Sequence, residues 1–234
     1  IRVSNRAESK ELLRRYAVAR IPFVTINAIE RTGALDILKE IAEELSLPFY
    51  VHTLSRGTYD IVTGKVANSD KSTYGAIEFI GEEMKRRQCL TLILTETPDI
   101  SSENADSKTI YDMIVDVAVD SGGSVIVLTS NPVWNQLQRQ GMVVKIDAPD
   151  EEEMYGIIHE YIDDYRSEIP IEWDNSDIRE AASILAGVTR IEAENVISAL
   201  IANKSIRKSD MDEVRLAKNR LFSDISGLEK IDVD

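Results

Sequence analysis

Asn27-Ala28-Ile29-Glu30-Arg31-Thr32-Gly33 sits where an open α/β domain would cradle a phosphate. Pro22-Phe23-Val24-Thr25-Ile26 before it reads as a buried strand. Ala34, Leu35, Leu38, Ile41, Ala42 and Leu45 after it mark one face of a helix. Holding a triphosphate at such a turn takes glycines, so that backbone N–H groups can curl around the anion. It also takes a lysine for the terminal phosphates and a hydroxyl for magnesium. This turn has one glycine, and Gly33-Ala34-Leu35 stands where Gly-Lys-Ser/Thr would be. Asn27 with Glu30 three residues on reads instead as a capping box, Asn27 accepting from the helix start and Glu30 reaching back. The helix then begins directly after the strand, and no loop is left to wrap an anion. Thr32 is a second candidate cap; it lengthens the turn slightly and still brings no lysine.

Other reactive groupings are sparse. Gly57 and Gly64-Lys65-Val66 enclose six residues where a phosphate loop has four, and Val66 cannot ligate magnesium. That segment follows the second strand and reads as a loop. His52 and His159 are far apart, with no cysteine or paired carboxylate at ligand spacing, so no metal site is expected. There is no Gly-x-Ser-x-Gly elbow, and Cys89 lies beside an apolar strand, where a thiol is usually inert. Trp134 and Trp173 read as packing residues.

The elements around this turn alternate. Apolar runs at Phe23–Ile26, Phe49–Leu54, Leu90–Leu94, Val125–Leu128 and Val143–Ile146 have the pattern of strands covered on both faces. Helical periodicity falls at about Ala28–Leu45, Thr73–Arg87 and Ser107–Val119, with a short stretch near Val133–Arg139. Ser4 to Val18 reads as a helix ahead of them. Strands alternating with helices of this length predict right-handed βαβ units and a five-stranded parallel sheet. Gly57–Ser72 and Thr97–Ala105 are polar, turn-rich loops by composition. After Ile146 the pattern is helical, in pieces near Glu151–Tyr165, Ser176–Ala186, Ile191–Ala202 and Lys208–Leu221.

The 234 residues suffice for one α/β domain and a smaller appendage. Net charge is −14, which repels nucleic-acid phosphates and anionic membranes, so neither is an expected partner. Arg86-Arg87 and Lys204–Lys208 read as solvated helix ends. No apolar run approaches the ~20 residues of a membrane span. No signal peptide is visible, and the start at Ile1 rather than Met reads as a fragment or a processed form. A lone cysteine fits a reducing compartment, which makes the chain cytoplasmic by expectation.

Four pieces then fall in order. Leu90-Thr91-Leu92-Ile93-Leu94-Thr95-Glu96 is a hydrophobic strand ending in an acid, and Val125–Leu128 ends in Thr129-Ser130-Asn131-Pro132. Asp147-Ala148-Pro149-Asp150-Glu151-Glu152-Glu153 leads from the last strand into helices. Gly187-Val188-Thr189-Arg190-Ile191-Glu192-Ala193-Glu194-Asn195 gives a turn and a second capping box, Thr189 with Glu192. Together they resemble the AAA+ ATPase superfamily over about residues 20–222. More narrowly, Glu30-Arg31, Leu47-Pro48-Phe49-Tyr50-Val51, Ser55-Arg56-Gly57 and Leu128–Pro132 resemble the first, degenerate ATPase domain of bacterial and plastid-type two-domain members.

That resemblance implies a P-loop NTPase-like domain at 20–148 behind an N-terminal helix at 1–19. A helical lid follows at 149–222 and a linker at 223–234, leading toward a second, intact ATPase domain. It implies vestigial catalytic positions at Glu96, Asn131 and Arg139. Thr95 stands where the metal-supporting aspartate belongs, and a neutral hydroxyl cannot replace that carboxylate. Asn27, Glu30, Arg31 and Gly33 stand at the phosphate-loop position, and Arg190 is the lid arginine. Simpler readings stand beside these: Glu96 a polar strand end, Asn131-Pro132 a strand stop, Arg139 an exposed helix end, Arg190 an exposed first-turn residue. The expected function is non-hydrolytic assembly or regulation of a larger AAA+ ATPase, through protein–protein contacts and homo-oligomerisation. No cofactor is expected in this segment, with ATP and magnesium belonging to the parent's ATPase domain. Two other readings stay open: an atypical ATPase or nucleotide binder, and an unrelated α/β small-molecule enzyme with its site at the strands' carboxyl ends.

Overall fold

The computed structural model describes residues 2–87, 90–95, 109–110, 112–114, 116–120, 122–130, 135–139 and 141–231. It divides into two compact units, Ile1–Asp147 and Ala148–Asp234.

The first unit is built on β1 (Arg2–Ser4), β2 (Phe23–Ala28), β3 (Phe49–Thr53), β4 (Gly57–Asp60), β5 (Val66–Asn68), β6 (Thr91–Thr95), β7 (Ser124–Thr129) and β8 (Met142–Ile146). Their order across the sheet is β1-β8-β2-β7-β6-β3-β4-β5. The five expected strands form its parallel heart, with Ile26 opposite both Leu128 and Val144, and Ile93 opposite both Val51 and Ile126. The sheet is larger than the expected five strands. β1 adds in parallel to β8, while β4 and β5 add antiparallel beyond β3. Gly57–Ser72 is therefore partly a hairpin and not wholly a loop. Its polar residues hide the strands because the ladder is made by backbone groups, which composition does not reveal. Gly57 has φ +80°, and a Cβ there would lie 2.4 Å from the Asn68 carbonyl oxygen, so only glycine fits that crossing.

Side chains alternate between two cores. Val24, Ile26, Ala28, Val51, Ile93 and Leu128 pack under α1 (Arg6–Val18) and α2 (Arg31–Leu45). Phe23, Leu92, Leu94, Val125 and Val127 face α3 (Thr73–Arg86) and the buried Ile110 and Ile114. The helical run expected over Ser107–Val119 includes a π-helical turn at Asp116–Asp120. α2 earns its place through Ala34, Ile37, Leu38, Ile41 and Ala42, a three-four spacing that buries one stripe. Arg6 and Lys10 of α1 reach Glu40 and Glu44 of α2, an exposed ion-pair seam beside that stripe. A short α4 (Asn135–Gln138) precedes β8. The stretch 1–19 thus supplies an edge strand as well as the expected helix.

The second unit is helical: α5 (Glu151–Asp163), α6 (Asn175–Leu185), α7 (Arg190–Ile201), a 3-10 turn (Lys208–Asp210) and α8 (Met211–Ile231). α8 runs through most of the stretch expected as a linker. The starts of α5, α6 and α7 have chemical causes. The Asp150 side chain accepts from the Glu153 N–H, and three glutamates in the first turn of α5 favour the helix dipole. Asp174 and Asp177 close a reciprocal capping box on α6. Thr189 accepts from the Glu192 N–H, but its hydroxyl in turn donates to the Glu192 carboxylate at 2.9 Å. The core is Met154, Ile158, Ile162, Leu185, Ile197 and Val214 around Trp173, whose indole N–H donates to the Arg207 carbonyl at 3.0 Å.

Candidate functional site

The carboxyl ends of β2, β7 and β6 lie side by side in the first unit, with Asn27 opposite Thr129 and Leu128 opposite Thr95. This is where open α/β sheets place ligands.

β2 runs two residues further than expected. Asn27 sits inside the ladder, paired with Thr129 on one side and Lys145 on the other. It does not cap α2. The N-cap is Glu30, at φ −112° and ψ 113°, and its side chain makes no capping hydrogen bond. The Asn27–Glu30 capping box is therefore not formed, because a residue held by strands on both sides cannot also start the helix. Thr32, the other candidate cap, lies within α2. The turn is only Ile29 and Glu30, and the first helical bond runs from the Ala34 N–H to the Glu30 carbonyl. Arg31 is exposed in the first turn. Gly33 is helical, and a Cβ added there would meet nothing within 4 Å.

Thr95 ends β6 and is fully buried. Its hydroxyl donates to the His52 carbonyl oxygen of β3 at 2.7 Å. The side chain is thus committed to the neighbouring strand. His52 is itself fully buried. Its Nε2 lies 3.0 Å from the Lys71 carbonyl oxygen and its Nδ1 3.2 Å from the Thr58 hydroxyl. A carbonyl only accepts, so in the neutral ring Nε2 carries the proton and Nδ1 accepts from Thr58. This cluster ties β3, β4 and the approach to α3 together. A histidine in an apolar run was its only signal in the sequence, and Thr58 and Lys71 sit in the stretch read as a loop. Beside it, Asp70 accepts from the N–H and the hydroxyl of Ser72, which hold its carboxyl below the usual range.

The remaining expected positions are dispersed. Thr129 is half-buried and Ser130 exposed at the end of β7. Cys89, Glu96, Asn131, Trp134 and the stretch 97–105 lie outside the described residues. Arg139 is exposed in the turn after α4, its N–H bonded to the Asn135 carbonyl. Arg190 belongs to the second unit, where its Nε pairs with Glu194 at 2.9 Å. Gly64-Lys65 lies between β4 and β5 in a closed turn. Gly64 N–H donates to Asp60, and the Gly64 carbonyl accepts from Arg56, which stacks on Tyr59. Among the described residues no group of three or more His, Cys, Asp or Glu could hold a metal ion. No helix among them is long and apolar enough to cross a membrane.

A family model described as the N-terminal domain of SpoVK-like AAA ATPases matches residues 9–146, and the model of the second domain matches residues 152–224. No curated protein matches the chain in sequence. Among solved structures, the chain is similar to one in the HORMA:CdnC:Trip13 complex of E. coli MS115-1. The TM-score there is 0.64 at 10% identity, covering 89% of this chain and 87% of that one. It is similar to C. elegans PCH-2 with a TM-score of 0.63 at 10% identity, covering 93% and 69%. Domain III of the Thermotoga maritima replication initiation protein DnaA gives 0.56 at 13% identity, covering 89% and 90%. At these identities the likenesses establish an AAA+ fold.

Proposed function

This chain belongs to the SpoVK-like AAA ATPase family, and from that membership we propose that it is a non-hydrolytic AAA+ module that serves the assembly or regulation of a larger ATPase. The observation that carries this reading is the two-residue turn between β2 and α2. ATP–magnesium does not fit the residues present. The turn supplies no lysine, and Gly33 is an ordinary helical residue in open space. Thr95, at the metal-supporting position, has its hydroxyl spent on His52 and brings no negative charge. A family member without these groups keeps the scaffold and loses the reason to bind a triphosphate tightly.

The module's work is then contact with proteins. The E. coli neighbour is named for a complex of several proteins, which supports protein partners in general and none in particular. Any ATP and magnesium belong to an intact ATPase domain of the parent protein, with homo-oligomerisation through AAA+-type packing. The nucleotide part of the reading is tested by thermal unfolding with and without millimolar Mg–ATP. A ligand at about 100 times its dissociation constant stabilises the native state by about 2.7 kcal/mol, which is several degrees for a domain of this size. The expected shift is zero. A reproducible rise that persists with a non-hydrolysable analogue would overturn the reading.

A further inference from the structure

We propose that the groove between α3 and the π-helical turn Asp116–Asp120 is a docking site for a basic amphipathic peptide segment of a partner protein. The groove has a volume of about 360 Å³, room for one or two large aliphatic side chains. Its apolar lining comes from Ile77 and Gly81 of α3 and from the half-buried Met113 and Val117 opposite. Gly81 faces Val117 across the groove: a Cβ there would lie 3.2 Å from the Val117 side chain, so glycine lets the two walls approach.

The rim is acidic. Glu78 and Glu82 stand on α3, Asp116 and Asp120 on the π-helical turn, and all four are exposed. Among the described residues Lys85 is the one cation of the lining, and it is paired with Glu82 at 3.0 Å. Glu78, Asp116 and Asp120 make no ion pair among the described residues. This is a local feature and not a sample of the chain's acidity. Residues 1–147 hold 20 acids against 17 bases, whereas 148–234 hold 21 against 10. The rim puts four acids and one base of the nearly balanced unit around one apolar floor. Like-charge crowding without a counter-ion costs energy that a cationic partner relieves. π-turns interrupt the α-helical ladder and recur at functional sites. An apolar floor with an acidic rim selects a segment carrying leucine-type anchors flanked by lysine or arginine. The inference stands independently of whether the β2–α2 turn binds nucleotide.

The probe is an amidated, fluorescein-labelled amphipathic peptide with leucines on one face and lysines and arginines on the other, titrated into the whole chain by fluorescence polarisation. An acidic peptide of the same leucine pattern is the control. The expected result is saturable binding of the basic peptide alone. The surface variant Glu78→Gln/Asp116→Asn/Asp120→Asn should bind it about tenfold more weakly, about 0.5 kcal/mol for each exposed pair lost. NMR shifts should concentrate on the methyls of Ile77, Met113 and Val117. Circular dichroism of the triple variant confirms that its fold is kept. Absence of binding would overturn the proposal. So would equal binding of the acidic peptide, affinity unchanged in the triple variant, or methyl shifts centred elsewhere.

Discussion

Replacing Thr95 by aspartate restores the residue type that a magnesium-supporting site needs, and the structure predicts that it will damage the protein instead. Thr95 is fully buried, and its hydroxyl donates to the His52 carbonyl oxygen at 2.7 Å. Thr95→Val keeps the shape and loses that bond, a cost of about 1–2 kcal/mol. Thr95→Asp adds more. An ionised carboxylate cannot donate, and it would face the lone pairs of the His52 carbonyl without a counter-ion. An uncompensated buried charge costs about 3–5 kcal/mol. Urea unfolding followed by circular dichroism reads both differences from the transition midpoints. The pH dependence gives a second signature. Burial raises the aspartate's folded pKa above its unfolded value of about 3.9, so the charge penalty is absent below about pH 4. It grows as pH rises toward the folded pKa, because the neutral acid can still donate to His52. If Thr95→Asp matches Thr95→Val at pH 7 and shows no such pH dependence, position 95 has room and water for a charge. The case against a metal-supporting site at the end of β6 would then fail.

Three further outcomes follow from single residues. Gly33→Ala should raise stability by about 0.5–1 kcal/mol, since a Cβ there meets nothing within 4 Å inside a helix; thermal unfolding decides, and a loss would show that the glycine serves a close contact. Thr25→Val should be neutral or stabilising by about 1 kcal/mol, because the Thr25 hydroxyl is buried in β2 with no hydrogen-bond partner among the described residues; denaturant midpoints test this, and a clear loss would reveal a bond to that hydroxyl. Lys208 and the Asp174 N–H hold the Asp177 carboxyl below its usual range. Its contribution is therefore present above about pH 4 and lost as pH falls through the lowered value. Asp177→Asn should be less stable than the parent at pH 7 and converge with it in acid, as followed by circular dichroism. A gap that stays constant with pH would place the effect in packing.

The parallel heart of the sheet was legible because β2, β3, β6 and β7 are largely apolar runs buried on both faces, and β8 is a shorter apolar run that is buried at Val144. β4 and β5 were not, since Gly57–Asp60 and the edge strand Val66–Asn68 are short segments without an apolar run, whose pairing rests on backbone groups and on the positive φ of Gly57. The missing lysine at the β2–α2 turn was plain in the sequence. Asn27 was misread as a cap because a cap and a strand end carry the same residue type, and only the ladder on both of its sides separates them. The fate of Thr95 needed the structure, because a hydroxyl turned toward the adjacent strand leaves no trace in residue order.

Isothermal titration of the chain with Mg–ATP bears most directly on the central claim. A turn of Ile29 and Glu30 with no lysine predicts no saturable heat at millimolar nucleotide. A stoichiometric isotherm with micromolar affinity would contradict it.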